Sequence, residues 1–150
     1  MTDTWEVRKP PLAACAVLLG LAFIAAALGS RAADATPKSP SVVRVVERDF
    51  HISLVHGRVT AGTVVFRVTN HGPDEHEFIV IHAERGLPLR PDGITLDEDA
   101  LAKSIAGSIE PARAGETNTL RLSLKPGRYA VVCNMFGHYM NGMHAVLVVQ

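Results

Sequence analysis

Short runs of β-branched and apolar residues alternate with turn residues over the last two thirds of the chain. Turns at 70–73 (Asn-His-Gly-Pro) and 125–127 (Lys-Pro-Gly) separate these runs at points where the backbone must bend sharply. The pattern predicts an all-β sandwich over residues 42–150. The seven candidate strands are 42–46, 50–54, 63–69, 77–82, 119–124, 129–132 and 145–149.

One segment between these strands has the periodicity of a helix. Its apolar positions at helical spacing are Leu96, Ala100, Leu101 and Ile105. Thr95 and Glu98 have the spacing of a capping box, and Gly107 is a suitable terminator. We therefore predict one short helix, at about 96–106, inserted between strands. The sequence assigns no function to the longer segment that contains it, residues 83–116.

The first 35 residues have the order of an export signal. Arg8 and Lys9 precede an uncharged apolar run, and residues 33–35 (Ala-Asp-Ala) have the form of a processing site. We predict a signal helix over 1–35, with cleavage after Ala35. A linker rich in Pro and Ser then occupies 36–41.

An uncleaved N-terminal membrane anchor is the alternative reading of the same leader. Residues 12–28 give 17 apolar positions, which is at the short end of what spans a bilayer. In both cases the basic N-terminal side stays in the cytoplasm. We therefore expect the domain to be periplasmic or otherwise extracytoplasmic, either released or anchored to the inner membrane.

Charge and cysteine content reduce the number of functions that the chain can have. The chain has 15 basic and 15 acidic residues, so it offers no basic surface for nucleic acid. Beyond the leader, Cys133 is the only cysteine, which excludes an internal disulfide in the exported domain. In an oxidising compartment a lone thiol is a liability unless it is buried or occupied. This favours Cys133 as a metal ligand.

Further candidate ligands lie around Cys133. His138 and Met143 follow it at five-residue intervals in a loop between two predicted strands. His76 opens an earlier strand, after the turn 70–75, and can supply a second imidazole. A thiolate with two imidazoles and a weak axial thioether suits copper. The sequence therefore predicts that one copper ion is held by these four residues.

The neighbours of the predicted ligands have simpler roles. Met135 and Met140 are expected to pack or to lie at the surface, although together with His144 they leave room for a second, weaker copper interaction. His71 is expected to be a solvated turn residue. The backbone N–H of Glu77 is expected to reach the Cys133 sulfur, with the Glu77 carboxylate pointing outward.

Several stretches of the chain resemble the cupredoxin family of blue copper proteins over about 42–150. They are residues 62–70, 76–78, 126–133, 137–138 and 142–143. The loop from Cys133 to Met143 is most similar to those of rusticyanin and sulfocyanin. The resemblance implies a cupredoxin-like Greek-key β-sandwich. It also implies that His76, Cys133 and His138 are equatorial ligands and Met143 the axial ligand of a copper ion cycling between Cu(I) and Cu(II).

Three functions compete for such a site. The first is transfer of single electrons between protein redox partners, whose identity the sequence does not give, by a monomeric domain. The alternative is copper delivery or storage, suggested by Met135, Met140 and His144. An enzyme would need a Cys-His nucleophile or a metal with an open coordination position. Met143 would fill that position, so we expect no enzyme.

Overall fold

The structure is a computed structural model that describes residues 39–83 and 86–150. The predicted leader and the first three residues of the predicted linker lie outside these residues. The described chain contains nine strands and one helix. In chain order they are β1 (Ser41–Arg48), β2 (His51–Leu54), β3 (Arg58–Val59), β4 (Gly62–Asn70), β5 (His76–His82), α1 (Glu98–Leu101), β6 (Ile105–Ala112), β7 (Thr117–Leu124), β8 (Gly127–Val132) and β9 (His144–Val149).

The described strands form two sheets, with the orders β2-β1-β4-β7 and β3-β9-β8-β5-β6. The β1–β4 and β3–β9 pairs are parallel, and the other pairs are antiparallel. Alternate residues of facing strands fill the space between the sheets, as the period of two in a half-buried strand requires. The largest of them, Phe66 of β4 and Phe78 of β5, have ring centroids 5.4 Å apart. The predicted all-β sandwich is confirmed.

All seven predicted strands are present, and the sequence missed two others. β3 has only two residues and pairs with β9, where Arg58 lies opposite Val148. β6 lies at the edge of the larger sheet and pairs with β5 through an irregular register. Its sequence contains Gly107 and Pro111, which are both uncommon in strands.

The inserted helix is confirmed as a short one, but its predicted extent is wrong. The helix covers only Glu98–Leu101, because the chain turns after Leu101 and enters β6 at Ile105. The predicted capping box is also wrong. Asp97 caps the helix by accepting from the backbone N–H of Ala100 at 3.0 Å. The Thr95 hydroxyl instead donates to Asp92 Oδ2 at 2.7 Å.

Gly107 is a residue of strand β6 rather than the predicted helix terminator. It pairs with Val80 of β5, and a Cβ atom at this position would lie 2.7 Å from Cδ2 of Leu122. Glycine therefore allows β6 to approach a side chain of the other sheet closely. The same absence of a side chain weakens the local strand signal, which is why the sequence suggested a helix end here.

The segment after β5 covers the outer face of the larger sheet. Leu96 and Leu101 are buried there against Ile79, Ile81 and Val132 in a second apolar cluster. Strand β5 is consequently buried on both faces from Phe78 to Ile81. Within residues 39–83 and 86–150, no helix has the length and apolar character needed to cross a membrane.

Candidate metal centre

Three of the predicted ligands converge at one end of the sandwich. β5 and β8 are antiparallel neighbours, with Ile79 opposite Val132. The first residue of β5, His76, and the residue that follows β8, Cys133, therefore lie at the same end of this pair. Their donor atoms and those of His138 all lie within 4.8 Å of one another, and all three side chains are buried. The Cys133 sulfur is 3.4 Å from His138 Nδ1.

The loop between β8 and β9 is closed by its own backbone hydrogen bonds. The N–H of Cys133 donates to the carbonyl of Met143 at 3.1 Å, and the N–H of Met143 donates to the carbonyl of His138 at 3.0 Å. Gly137 and Gly142 have φ values of +78° and +102°, a region that favours glycine. Met143 is fully buried in the same core cluster as Cys133. The loop thus holds the predicted axial residue beside the thiol.

His76 has the environment of a metal ligand. It is fully buried, and within the described residues its Nδ1 atom has no hydrogen-bond partner. Burial lowers the pKa of His76, and the neighbouring His138 lowers it further, while Asp49 opposes this change. The imidazole is therefore neutral at neutral pH, which is the form that binds a metal. An unpartnered, buried nitrogen beside a thiol and a second imidazole fits a metal ion.

Burial and two backbone N–H groups act in opposite directions on the pKa of the Cys133 thiol. Burial raises the pKa of the Cys133 thiol to about 11, and the backbone N–H groups of Met135 and Glu77 lower it by hydrogen bonding to the sulfur. The charges of Glu77 and Glu47 raise it again. The direction of the N–H effect agrees with the approach of the Glu77 N–H to the sulfur predicted from the sequence. A thiol in this setting is protonated at neutral pH unless a cation replaces the proton.

Solved structures of blue copper proteins share this architecture. Auracyanin from Roseiflexus castenholzii matches with a TM-score of 0.57 at 16% identity, over 73% of this chain and 97% of that one. Auracyanin A, a blue copper protein from Chloroflexus aurantiacus, matches at 0.56 and 22%, over 75% and 100%. Rusticyanin from Thiobacillus ferrooxidans matches at 0.54 and 18%, over 75% and 79%.

The chain has the cupredoxin fold. No protein-family model matches its sequence, and no curated protein matches it either. At these identities the likeness establishes the fold alone.

Within this cupredoxin fold, Glu77 does not point outward as predicted. Its Oε1 atom accepts a hydrogen bond of 2.8 Å from the backbone N–H of Asn134. Burial raises the pKa of Glu77, and the bond from Asn134 lowers it. The residues that directly follow His76 and Cys133 are therefore linked to each other. The physical reason is that the Asn134 N–H lies just past the end of β8 and needs an acceptor that the strand no longer supplies.

The side chain of Asn134 connects the metal loop to the inserted segment. Its Oδ1 atom accepts from the Leu96 N–H at 2.6 Å, and its Nδ2 donates to the Leu96 carbonyl at 3.2 Å. Nδ2 also donates to Glu98 Oε1 at 2.7 Å. The Asn134 side chain thus pairs with the N–H and the carbonyl of Leu96, as a neighbouring strand would. Nothing in the sequence around Asn134 signals this contact.

Glu47 is a buried carboxylic acid that was not predicted from the sequence. It occupies an inward position of β1, on the same face as Val43 and Val45. Burial raises the pKa of Glu47 to about 8, with a further contribution from the charge of Glu77. Glu47 is therefore mostly neutral at pH 7, and its charge acts on the thiol only at the higher pH where the thiol itself titrates. The alternation of inward and outward residues along β1 could have predicted that Glu47 lies inward.

The other groups named from the sequence lie around the loop. Met135 is partly buried against the core, whereas Met140 is exposed. His144 is exposed and lies 5.2 Å from Tyr139, measured between ring centroids. His71 is an exposed turn residue. A second copper interaction by Met135, Met140 and His144 stays a prediction.

Replacement of Asn134 by Ala should destabilise the fold measurably. The change leaves the buried N–H and carbonyl of Leu96 without the partners they have in Asn134. We expect the free energy of unfolding to fall by about 1–3 kcal/mol, the cost of an unsatisfied buried group. Urea unfolding followed by circular dichroism measures it.

Asn141→Ala is the matched control for this prediction. Asn141 belongs to the same loop but makes one exposed side-chain bond, to the Gly137 carbonyl at 2.7 Å. Its replacement should change the free energy of unfolding by no more than about 0.5 kcal/mol. Equal effects of the two changes would contradict the structural role assigned to Asn134.

Proposed function

We propose that the protein is an exported mononuclear blue-copper protein that transfers single electrons between redox partners. The observation that carries this proposal is the convergence of one thiol and two imidazoles, all buried, with donor atoms within 4.8 Å of one another. With the thioether of Met143 they form the donor set that suits copper in an electron carrier. When bound, the ion supplies a one-electron Cu(I)/Cu(II) couple.

The frame around the donors supports electron transfer in particular. His76 is positioned by strand β5. Cys133 and Met143, at the two ends of the loop between β8 and β9, are joined by a backbone hydrogen bond. The N–H groups of Met135 and Glu77 lower the pKa of the Cys133 thiol and so favour its negatively charged form. A site with little freedom to rearrange keeps the same donors in both oxidation states. Burial of the donors also keeps water away.

Two other functions receive less support. A nucleophilic enzyme would need an accessible thiolate, but Cys133 is fully buried and its thiol has a pKa of about 11. We therefore propose that the protein is not an enzyme. Copper delivery or storage is the second candidate, favoured by the exposed Met140 and His144 beside the loop. Three buried strong donors favour retention of the ion over its release.

The location and the partners are part of the proposal. The leader sequence supports a periplasmic or other extracytoplasmic domain, released or anchored. We propose that this domain is monomeric and docks with redox proteins through an apolar end, which we define as Phe50, Phe136 and Met140. Their exposed fractions are 46%, 76% and 51%. The Phe50 ring meets the His138 ring edge-on, with centroids 5.4 Å apart.

Tyr139 follows His138 in the loop but is not part of this docking surface. Its ring is partly buried against the second apolar cluster and lies beside His144. Phe50 takes its place, although it comes from the distant turn between β1 and β2. The apolar end contains no charged side chain, so a small and weak contact with rapid release is favoured there.

Loading with Cu(II) should give an intense visible absorption band, because charge transfer from a copper-bound thiolate requires the Cys133 sulfur. Cys133→Ser should abolish the band. Met135→Leu and Met140→Leu are the controls and should leave it nearly unchanged, since neither residue is a proposed ligand. A colourless or pale copper complex of the unmodified protein would refute the electron-transfer proposal.

The upstream ligand can be identified by the same spectrum. His76→Ala should remove the band, because it deletes a buried donor beside Cys133 and His138. His71→Ala should keep it, because His71 is exposed in the preceding turn. The opposite pair of results would mean that the ligand has been assigned to the wrong histidine.

Electron exchange between reduced and oxidised copies should depend only weakly on salt, because the apolar end carries no charge. Self-exchange rates measured by NMR across a range of ionic strengths test this expectation. Met140→Lys should slow the exchange at low salt, because it places like charges opposite each other in the encounter. A steep salt dependence of the unmodified protein, or no slowing in the variant, would exclude this surface.

A further inference from the structure

A carboxylate lies behind the imidazole of His76. Asp49, in the turn between β1 and β2, places Oδ1 3.2 Å from His76 Nε2. The Asp49 side chain is 28% exposed, whereas His76 is fully buried. The two atoms are at ion-pair distance without the alignment of a hydrogen bond. Since Nε2 faces Asp49, Nδ1 is the nitrogen left for the metal.

The approach of Asp49 to His76 depends on Gly72. A Cβ atom at Gly72 would lie 2.5 Å from Asp49 Oδ1 and 2.8 Å from His76 Nε2. It would also lie 3.0 Å from the backbone nitrogen of Asp49. No other residue type leaves this space free. The turn before β5 therefore passes over the pair at a distance that only glycine allows.

The turn that carries Gly72 is itself fixed by a buried amide. Asn70 accepts from the N–H of Gly72 at 2.8 Å and donates to the carbonyls of Asp74 and Ala112 at 2.6 and 2.9 Å. The N–H of His71 donates to the carbonyl of Glu47 at 2.8 Å, which joins the turn to the end of β1. These bonds connect the turn that precedes His76 to the end of the strand that precedes Asp49.

We propose that Asp49 is a positioning residue of the metal centre, which fixes the tautomer and orientation of His76 and lowers the reduction potential of the bound metal. The inference rests on the proposed function. A neutral imidazole carries one N–H, and a carboxylate beside Nε2 favours the proton there. Carboxylate partners of metal-binding histidines generally fix the ring in this way and make it a stronger donor.

The sign of the effect on the potential follows from charge. A carboxylate in contact with a ligand adds negative charge beside the donor set, and this favours Cu(II) over Cu(I). The attraction does not require hydrogen-bond alignment, and at a partly buried contact it is screened less than at the surface. Asp74 also acts on His76 through its charge, but it is exposed. Its influence should be much smaller.

The first test uses the copper-loaded full chain and Asp49→Asn, which removes the charge at nearly constant shape. We expect the intense band to persist and the reduction potential to rise by about 59 mV or more, which corresponds to a tenfold change in the one-electron equilibrium. Asp74→Asn is the control, and its shift should be less than a third as large. Equal shifts in the two variants would overturn the role of Asp49 in setting the potential.

The second test needs no copper. Nitrogen-15 NMR of the unmodified, metal-free protein should show His76 with its proton on Nε2, and Asp49→Leu should weaken that preference. Zn²⁺ affinity should fall about 10-fold or more in Asp49→Leu, as is typical when such a partner is lost. A proton on Nδ1 in the unmodified protein, or unchanged zinc affinity, would overturn the positioning role.

The proposed function and the role of Asp49 can be refuted separately. If the unmodified protein binds Cu(II) without an intense band, the proposed function is wrong, and the tautomer and zinc measurements still decide the role of Asp49. If the band is present and the Asp49 variants behave like the Asp74 control, only the role of Asp49 is wrong.

Discussion

The pairing of β5 with β8 is the interaction on which the site depends. It places the start of one strand beside the end of the other, and so brings together two residues that are 57 positions apart in the chain, His76 and Cys133. The core holds β5 on one face and the inserted segment holds it on the other. A register shift of one residue would turn His76 away from the thiol, because neighbouring side chains of a strand point to opposite faces. Burial on both faces makes that shift costly.

The parts of the fold that the sequence predicted are those with a local signal. Alternating β-branched residues defined seven strands, and the spacing of Cys133, His138 and Met143 in one loop identified most of the site. β6 was not predicted because Gly107 and Pro111 interrupt its pattern, and because Ile105 fits a helical period as well as a strand. The short helix was overextended for the same reason. In both places the partner strand β5 decides the structure, and no local window contains that information.

The contacts of the polar groups around the site could not be predicted from the sequence, for a related reason. Asn134 meets Leu96, Glu77 meets Asn134, and Asp49 meets His76, in each case across 27 to 57 positions of the chain. Polar side chains have many possible partners, so periodicity does not choose among them. Glu47 is different, because the alternation of β1 points it inward. A charged carboxylate is not expected at a buried position. Burial raises the pKa of Glu47 to about 8, so the side chain is mostly neutral at pH 7.

The link through Asn134 also has a dynamic consequence. The inserted segment and the metal loop share one buried amide, so neither can open without breaking hydrogen bonds of the other. Segments joined in this way open as one cooperative unit. The backbone amides of Leu96 and of the residues following Cys133 should then exchange with solvent at a common rate, although they lie in separate stretches of chain. Opening of the insertion on the outer face of the sheet would therefore also break hydrogen bonds of the loop that carries Cys133, His138 and Met143.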